Sequence, residues 1–161
     1  MEEIYQRRSI RSYNEKDISK ESIKKIIKAG MNAPSAMNSK PCIFLAITDK
    51  KILKNLSQLG ANAFMLEKCK AAIVVLVKKS TMFWQQDGAA ATQNILLEAT
   101  TQDIGSCWIG ITPNESYQNY LENNLGITED YEYFSIISLG YTDKQKLKND
   151  YFNEEKIKWL D

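Results

Sequence analysis

A chain of 161 residues with 43% apolar and 25% charged side chains has the balance of a globular domain, long enough to bury a core without a disulfide framework. Its formal net charge of +1 excludes bulk electrostatic attraction to nucleic acid or anionic lipid, so any anion recognition must be local. Histidine is absent, which removes a Ser-His-Asp triad, a Cys-His dyad and an HExxH zinc site together and shifts any reactivity onto a cofactor.

After a basic opening segment, Ser19 is placed to cap a helix whose apolar face is Ile23, Ile26 and Ile27, with Ile18 as a hydrophobic staple on Ile23 and Gly30 as the C′ stop. Residues 32–41 place two prolines around small polar residues, a backbone expected to be neither helix nor strand. Cys42 to Thr48 is expected as a strand. Asp49 then caps a helix with Ile52, Leu53, Leu56 and Leu59 inward, stopped at Gly60. Ala71 to Val77 is a continuous β-branched run, the pattern of a strand buried on both faces.

The longest helical candidate is Trp84 to Gln102, apolar on so many faces that it must be buried in a core or a subunit interface. Ser106 to Ile111 is expected as a strand, Glu115 to Leu125 as a helix closed by Gly126, and Tyr133 to Leu139 as the last strand. Beyond Tyr141 the chain is polar, with Trp159 and Leu160 as isolated apolar anchors. No repeat or linker divides it, so one domain over residues 1–161 is expected, and irregularly mixed strands and helices predict an α+β fold.

The cysteines, Cys42, Cys69 and Cys107, form no CxxC pair, which argues against a zinc ribbon or a thioredoxin-like site. Cys42 and Cys107 lie in apolar runs that predict buried thiols, and a reducing, cytoplasmic compartment fits best. No apolar stretch follows the first charges, so no signal peptide is expected, and no run is long enough to span a bilayer.

Several segments have the residue types of a ligand site. Arg7-Arg8-Ser9-Ile10-Arg11 offers guanidinium forks and a hydroxyl suited to a phosphate monoester, against the alternative of a solvated basic terminus. Pro34-Ser35-Ala36-Met37-Asn38 lets backbone approach a flat ligand, with Ser35 and Asn38 as directional partners, or is an ordinary connection. In Gly105-Ser106-Cys107-Trp108-Ile109-Gly110, flanking glycines point to a bulge or a close backbone approach, or to a strand packing Trp108 into the core.

Taken in order with the Trp84–Leu97 segment and Ser138-Leu139-Gly140-Tyr141, these segments resemble the nitroreductase family from about Ile4 to Tyr141. The resemblance implies an α+β fold with a nitroreductase-like mixed central sheet flanked by helices, completed by homodimerisation around the Asp87–Leu97 helix. It also implies two FMN sites at the dimer interface and ping-pong hydride transfer from NAD(P)H to a small acceptor such as a nitroaromatic or quinone.

By motif match, Arg7, Arg8, Ser9 and Arg11 would hold the FMN phosphate, ribityl chain and pyrimidine edge. Pro34, Ser35, Ala36, Met37 and Asn38 would reach the flavin of the other subunit. The Trp108-Ile109-Gly110 backbone would lie near the flavin N5 edge. A further basic contact to the phosphate is shared among Lys144, Lys146 and Lys148 as alternatives. No side-chain acid or base and no metal is assigned. The competing function is a flavin-binding sensor or storage protein without turnover, while nucleic-acid and membrane partners are not expected.

Overall fold

The computed structural model describes residues 2–112, 114–126, 130–143 and 151–160. A short helix, α1 (Glu3–Gln6), precedes α2 (Lys20–Met31), which Ser19 caps by accepting the Ser22 N–H at 3.0 Å. Gly30 is not the expected stop: it lies inside α2, where a Cβ would sit 2.9 Å from Ile95 Cγ1 and from Phe44 Cε1. Its lack of a side chain serves close packing, and α2 ends at Asn32 instead.

Strand β1 (Cys42–Ile47) leads to α3 (Lys50–Ser57), capped by Asp49 through the Lys51 and Ile52 N–H groups at 2.8 and 3.0 Å. This helix stops before Gly60, and a 3₁₀ turn, Ala61–Glu67, fills the connection to β2 (Ala71–Lys78). The long helix α4 (Trp84–Thr101), β3 (Gly105–Gly110), α5 (Glu115–Leu125) and β4 (Tyr131–Gly140) follow. Gly126, with φ 63°, ends α5 in the left-handed conformation.

The four strands form one sheet in the order β1-β2-β4-β3, and every neighbouring pair is antiparallel. The mixed sheet expected above is therefore antiparallel through its strands, while an isolated bridge between Ser9 and Ser106 is parallel. Helices cover both faces, which is why β2 carries an unbroken apolar run. On one face Ile73, Val75, Ile137 and Leu139 pack with Ile23 and Ile26 of α2 and Ile95, Leu96 and Ala99 of α4. On the other, Val74, Leu76 and Ile136 pack with Leu53 and Leu56 of α3 and Tyr117 and Leu121 of α5. Each of the buried Val, Leu and Ile side chains among these contributes about 1.5–3 kcal/mol of burial.

The α+β class is as expected. Within α4, Asp87, Gly88, Ala91, Thr92, Ile95, Leu96, Ala99 and Thr100 are buried in the chain itself, while Gln85, Gln86 and Gln93 are exposed. The expected anchors Trp159 and Leu160 engage nothing comparable, being 76% and 98% exposed. No helix among the described residues is long and apolar enough to cross a membrane, and no cluster there has metal-ligand composition.

Candidate functional site

The amino-terminal arginines are held on the free edge of the sheet by a set of close contacts. Gly105 and Gly140 stand opposite each other on β3 and β4. A Cβ at Gly105 would lie 2.9 Å from Ile10 Cγ2, and one at Gly140 would lie 2.5 Å from the Tyr13 ring. The two glycines leave a flat strip on which Ile10 and Tyr13 lie. Hydrogen bonds pin the segment there: Ile10 N–H donates to the Ser106 carbonyl at 2.8 Å, and Asn14 N–H to the Tyr141 carbonyl at 2.8 Å. The Tyr13 hydroxyl donates to the Ile10 carbonyl at 2.7 Å and shares a 2.7 Å bond with Ser138 Oγ. The close backbone approach expected of the glycine-flanked segment is thus real at Gly105.

At Gly110 a Cβ would meet nothing within 4 Å, so this end of β3 is open. Because Ser106 turns its carbonyl outward to Ile10, the two-residue alternation of an antiparallel strand turns the N–H groups of Trp108 and Gly110 outward too. Neither meets an acceptor among the described residues. Arg11, Cys107, Trp108, Ile109 and Gly110 line a cavity of about 360 Å³ with Asn62 and Phe64. Burial pushes the Cys107 thiol up, while the charge of Arg11, a hydrogen bond with Ser9 and the charge of Arg7 pull it the other way. Among the described residues no carboxylate pairs with Arg7 or Arg11; Arg11 donates to the Ser9 carbonyl at 3.4 Å and interacts with the Cys107 thiol. Arg8 turns back to the carbonyls of Tyr5 and Arg7 at 3.5 and 3.2 Å.

The second group of expected site residues lies elsewhere in the chain. Ala36–Asn38 form a 3₁₀ turn, where an irregular loop was expected. Met37 and Asn38 are exposed, with φ of 52° and 54°. Pro34 and Ser35 line a cavity of about 280 Å³ with Lys40, Cys42 and Asp87, and a shallower one of about 310 Å³ with Ala36, Phe83 and Ala90. Cys42 is half-buried rather than buried, and burial first, then the Asp87 carboxylate, push its thiol up to about 11. No cavity described here joins this loop to the arginines, and Lys144, Lys146 and Lys148 lie outside the described residues.

Asn62 and Phe64 are missing from the sequence-based set. They sit in the 3₁₀ turn after Gly60, a stretch with no periodicity, and only an isolated polar residue beyond a helix stop hinted at them. A neighbouring cleft of about 590 Å³ shares Trp108 and Gly110 and is walled by Trp84 and Phe134. Phe134 meets Trp84 edge-on at 6.2 Å and Trp108 at 5.8 Å.

An antiparallel sheet between two helical layers, with Arg11 lining a cavity at the outer edge of β3, defines the architecture as α+β with a cationic cavity on one sheet edge. The nitroreductase family model matches residues 4–87 and 61–141, and the chain belongs to this family of oxidoreductase enzymes. An Archaeoglobus fulgidus relative, provisionally named NADH dehydrogenase/NAD(P)H nitroreductase, is 44% identical over 97% of this chain and 96% of its own. The structure of an FMN-dependent nitroreductase from Clostridium difficile superposes with a TM-score of 0.90 at 31% identity, over 100% of this chain and 99% of that one. A Desulfovibrio desulfuricans structure in complex with FMN gives 0.84 at 27% identity, over 99% and 94%.

Proposed function

We propose that the chain forms one FMN-binding domain and acts as a homodimeric, cytoplasmic oxidoreductase. It passes hydride from NAD(P)H to a small acceptor such as a nitroaromatic or quinone. One observation carries the reading: Arg11 lines the cavity at the open β3 edge and Arg7 lies two residues before the Ser9–Ser106 bridge, neither paired with a carboxylate among the described residues, while outward N–H groups and bare Gly110 leave room for a ring system. The donor set fits a terminal monophosphate and a flat heterocycle, and the names of the A. fulgidus, C. difficile and D. desulfuricans relatives agree with it.

In this reading Arg7, Arg8 and Ser9 bind the phosphate, and Arg11 places positive charge at the pyrimidine edge. The Trp108 and Gly110 N–H groups orient the ring, and Asn62 lines the polar side of the same cavity. FMN, when bound, supplies the hydride-accepting and hydride-donating chemistry that a chain without histidine lacks. Pro34, Ser35 and Ala36 line cavities other than the one Arg11 lines, which agrees with a site shared between two subunits in which they, Met37 and Asn38 reach the partner's flavin. Lys144, Lys146 and Lys148, outside the described residues, are the alternatives for a further phosphate contact. Three free cysteines agree with a reducing compartment.

The test is the flavin released on denaturation of the purified or reconstituted protein, followed by steady-state NAD(P)H oxidation with a quinone. FMN and turnover are expected. FAD, or no flavin affinity, sinks the reading, and FMN without turnover moves it to the storage alternative. Arg7→Ala and Arg11→Ala should each weaken FMN binding by about 1.5–3 kcal/mol, the range for hydrogen bonds to charged groups. Unchanged affinity in both, by fluorescence titration, returns these arginines to a solvated terminus.

A further inference from the structure

Asp87 lies in the first turn of α4 and is only 5% exposed, yet one of its two carboxylate oxygens is idle. Oδ1 accepts the Ala36 N–H at 3.0 Å, while Oδ2 is buried with no hydrogen-bond partner among the described residues. A buried carboxylate with a bare oxygen is destabilising, and the nearby helix N-terminus offsets only part of that cost.

What Asp87 holds is a strained segment. Met37, Asn38 and Lys40 have φ of 52°, 54° and 51°, so three non-glycine residues in close succession occupy the left-handed region. Such conformations persist only where the surroundings enforce them. Ser35 Oγ accepts the Lys40 N–H at 2.9 Å and closes the loop on itself. The Asp87 bond is different in kind, because it ties the turn to α4 across 51 positions of sequence.

We propose that Asp87 is the positioning residue of the Ser35–Asn38 loop, its carboxylate fixing the loop shape that a flavin site requires. The ligand half of this proposal rests on the FMN reading above; the tether does not. The bond can be cut from either end. Asp87→Ala removes the acceptor, and Ala36→Pro removes the donor. Proline suits that position, since Ser35 is extended (φ −140°, ψ 152°) and Ala36 opens the 3₁₀ turn. Asp87→Asn keeps a carbonyl oxygen in place and serves as the rescue.

Two measurements are made on each variant: FMN affinity by flavin fluorescence, and amide hydrogen exchange across residues 35–40 without flavin. Asp87→Ala and Ala36→Pro should each weaken FMN binding about tenfold or more and speed loop exchange, as expected for loss of a charge-assisted bond. The double variant should be no weaker than the worse single one, because both remove the same bond. Asp87→Asn should stay within about threefold of wild type, since its acceptor survives.

Wild-type affinity in Asp87→Ala, an Asp87→Asn variant as weak as Asp87→Ala, or full additivity overturns the proposal. Should Asp87→Ala not fold, wild-type affinity and exchange in Ala36→Pro overturn it equally well. If the wild-type protein binds no FMN, the functional reading fails and takes the ligand half with it. Unaltered loop exchange in the variants overturns the tether separately.

Discussion

Gly140→Val is expected to destabilise the protein by about 3 kcal/mol, near the upper end of what overpacking costs, and to weaken FMN binding in the same variant. The first side-chain carbon alone would lie 2.5 Å from the Tyr13 ring, with the paired strand β3 leaving no route for relief on that side. Tyr13 must leave its slot, and with it go the bonds to the Ile10 carbonyl and Ser138 Oγ. Those bonds hold the segment that carries Arg7 and Arg11. Burial raises the Tyr13 hydroxyl well above its ordinary range, so it is a donor at neutral pH. Tyr13→Phe is the milder control, losing the hydroxyl bonds but keeping the ring, at about 0.5–1.5 kcal/mol. Urea midpoints give the stability and flavin titration the affinity. A Gly140→Val protein with both unchanged would show that Tyr13 does not clamp the arginines.

Ala90→Glu should abolish dimer and flavin binding together. Within α4, Gly88 and Ala91 are consumed by the chain's own core: a Cβ at Gly88 would lie 2.8 Å from the Phe134 ring, and Ala91 is buried. Ala89 and Ala90 remain half-buried, and Ala90 shares a depression with Pro34, Ser35, Ala36 and Phe83. That leaves these two alanines and the loop beside them as the small-residue surface of α4 available to a second copy. A glutamate there sets a second carboxylate near Asp87 and an unpaired charge in the proposed contact, which costs about 3–5 kcal/mol when buried. Sedimentation equilibrium alongside flavin absorbance reports both losses. A folded monomer that binds FMN at wild-type affinity would falsify the shared site.

Local chemistry was legible in the residues alone. The caps at Ser19 and Asp49, the doubly buried strand at Ala71, and helix α5 with its left-handed Gly126 each depend on side chains and backbone a few positions apart. So did the segments that hold the candidate site, since arginine forks and proline-bounded loops announce their chemistry in composition. What Gly30 and Gly140 do was not legible, nor was the partner of the close approach at Gly105, because these glycines answer to Ile95, Tyr13 and Ile10, side chains distant in sequence that only chain packing brings within contact. Asn62 entered the cavity for the same reason, carried there by a 3₁₀ turn without periodicity. Pairing direction in the sheet, the buried Asp87 bond to Ala36 and the separation of the loop from the arginines likewise depend on long-range contacts, which no local pattern of residues encodes.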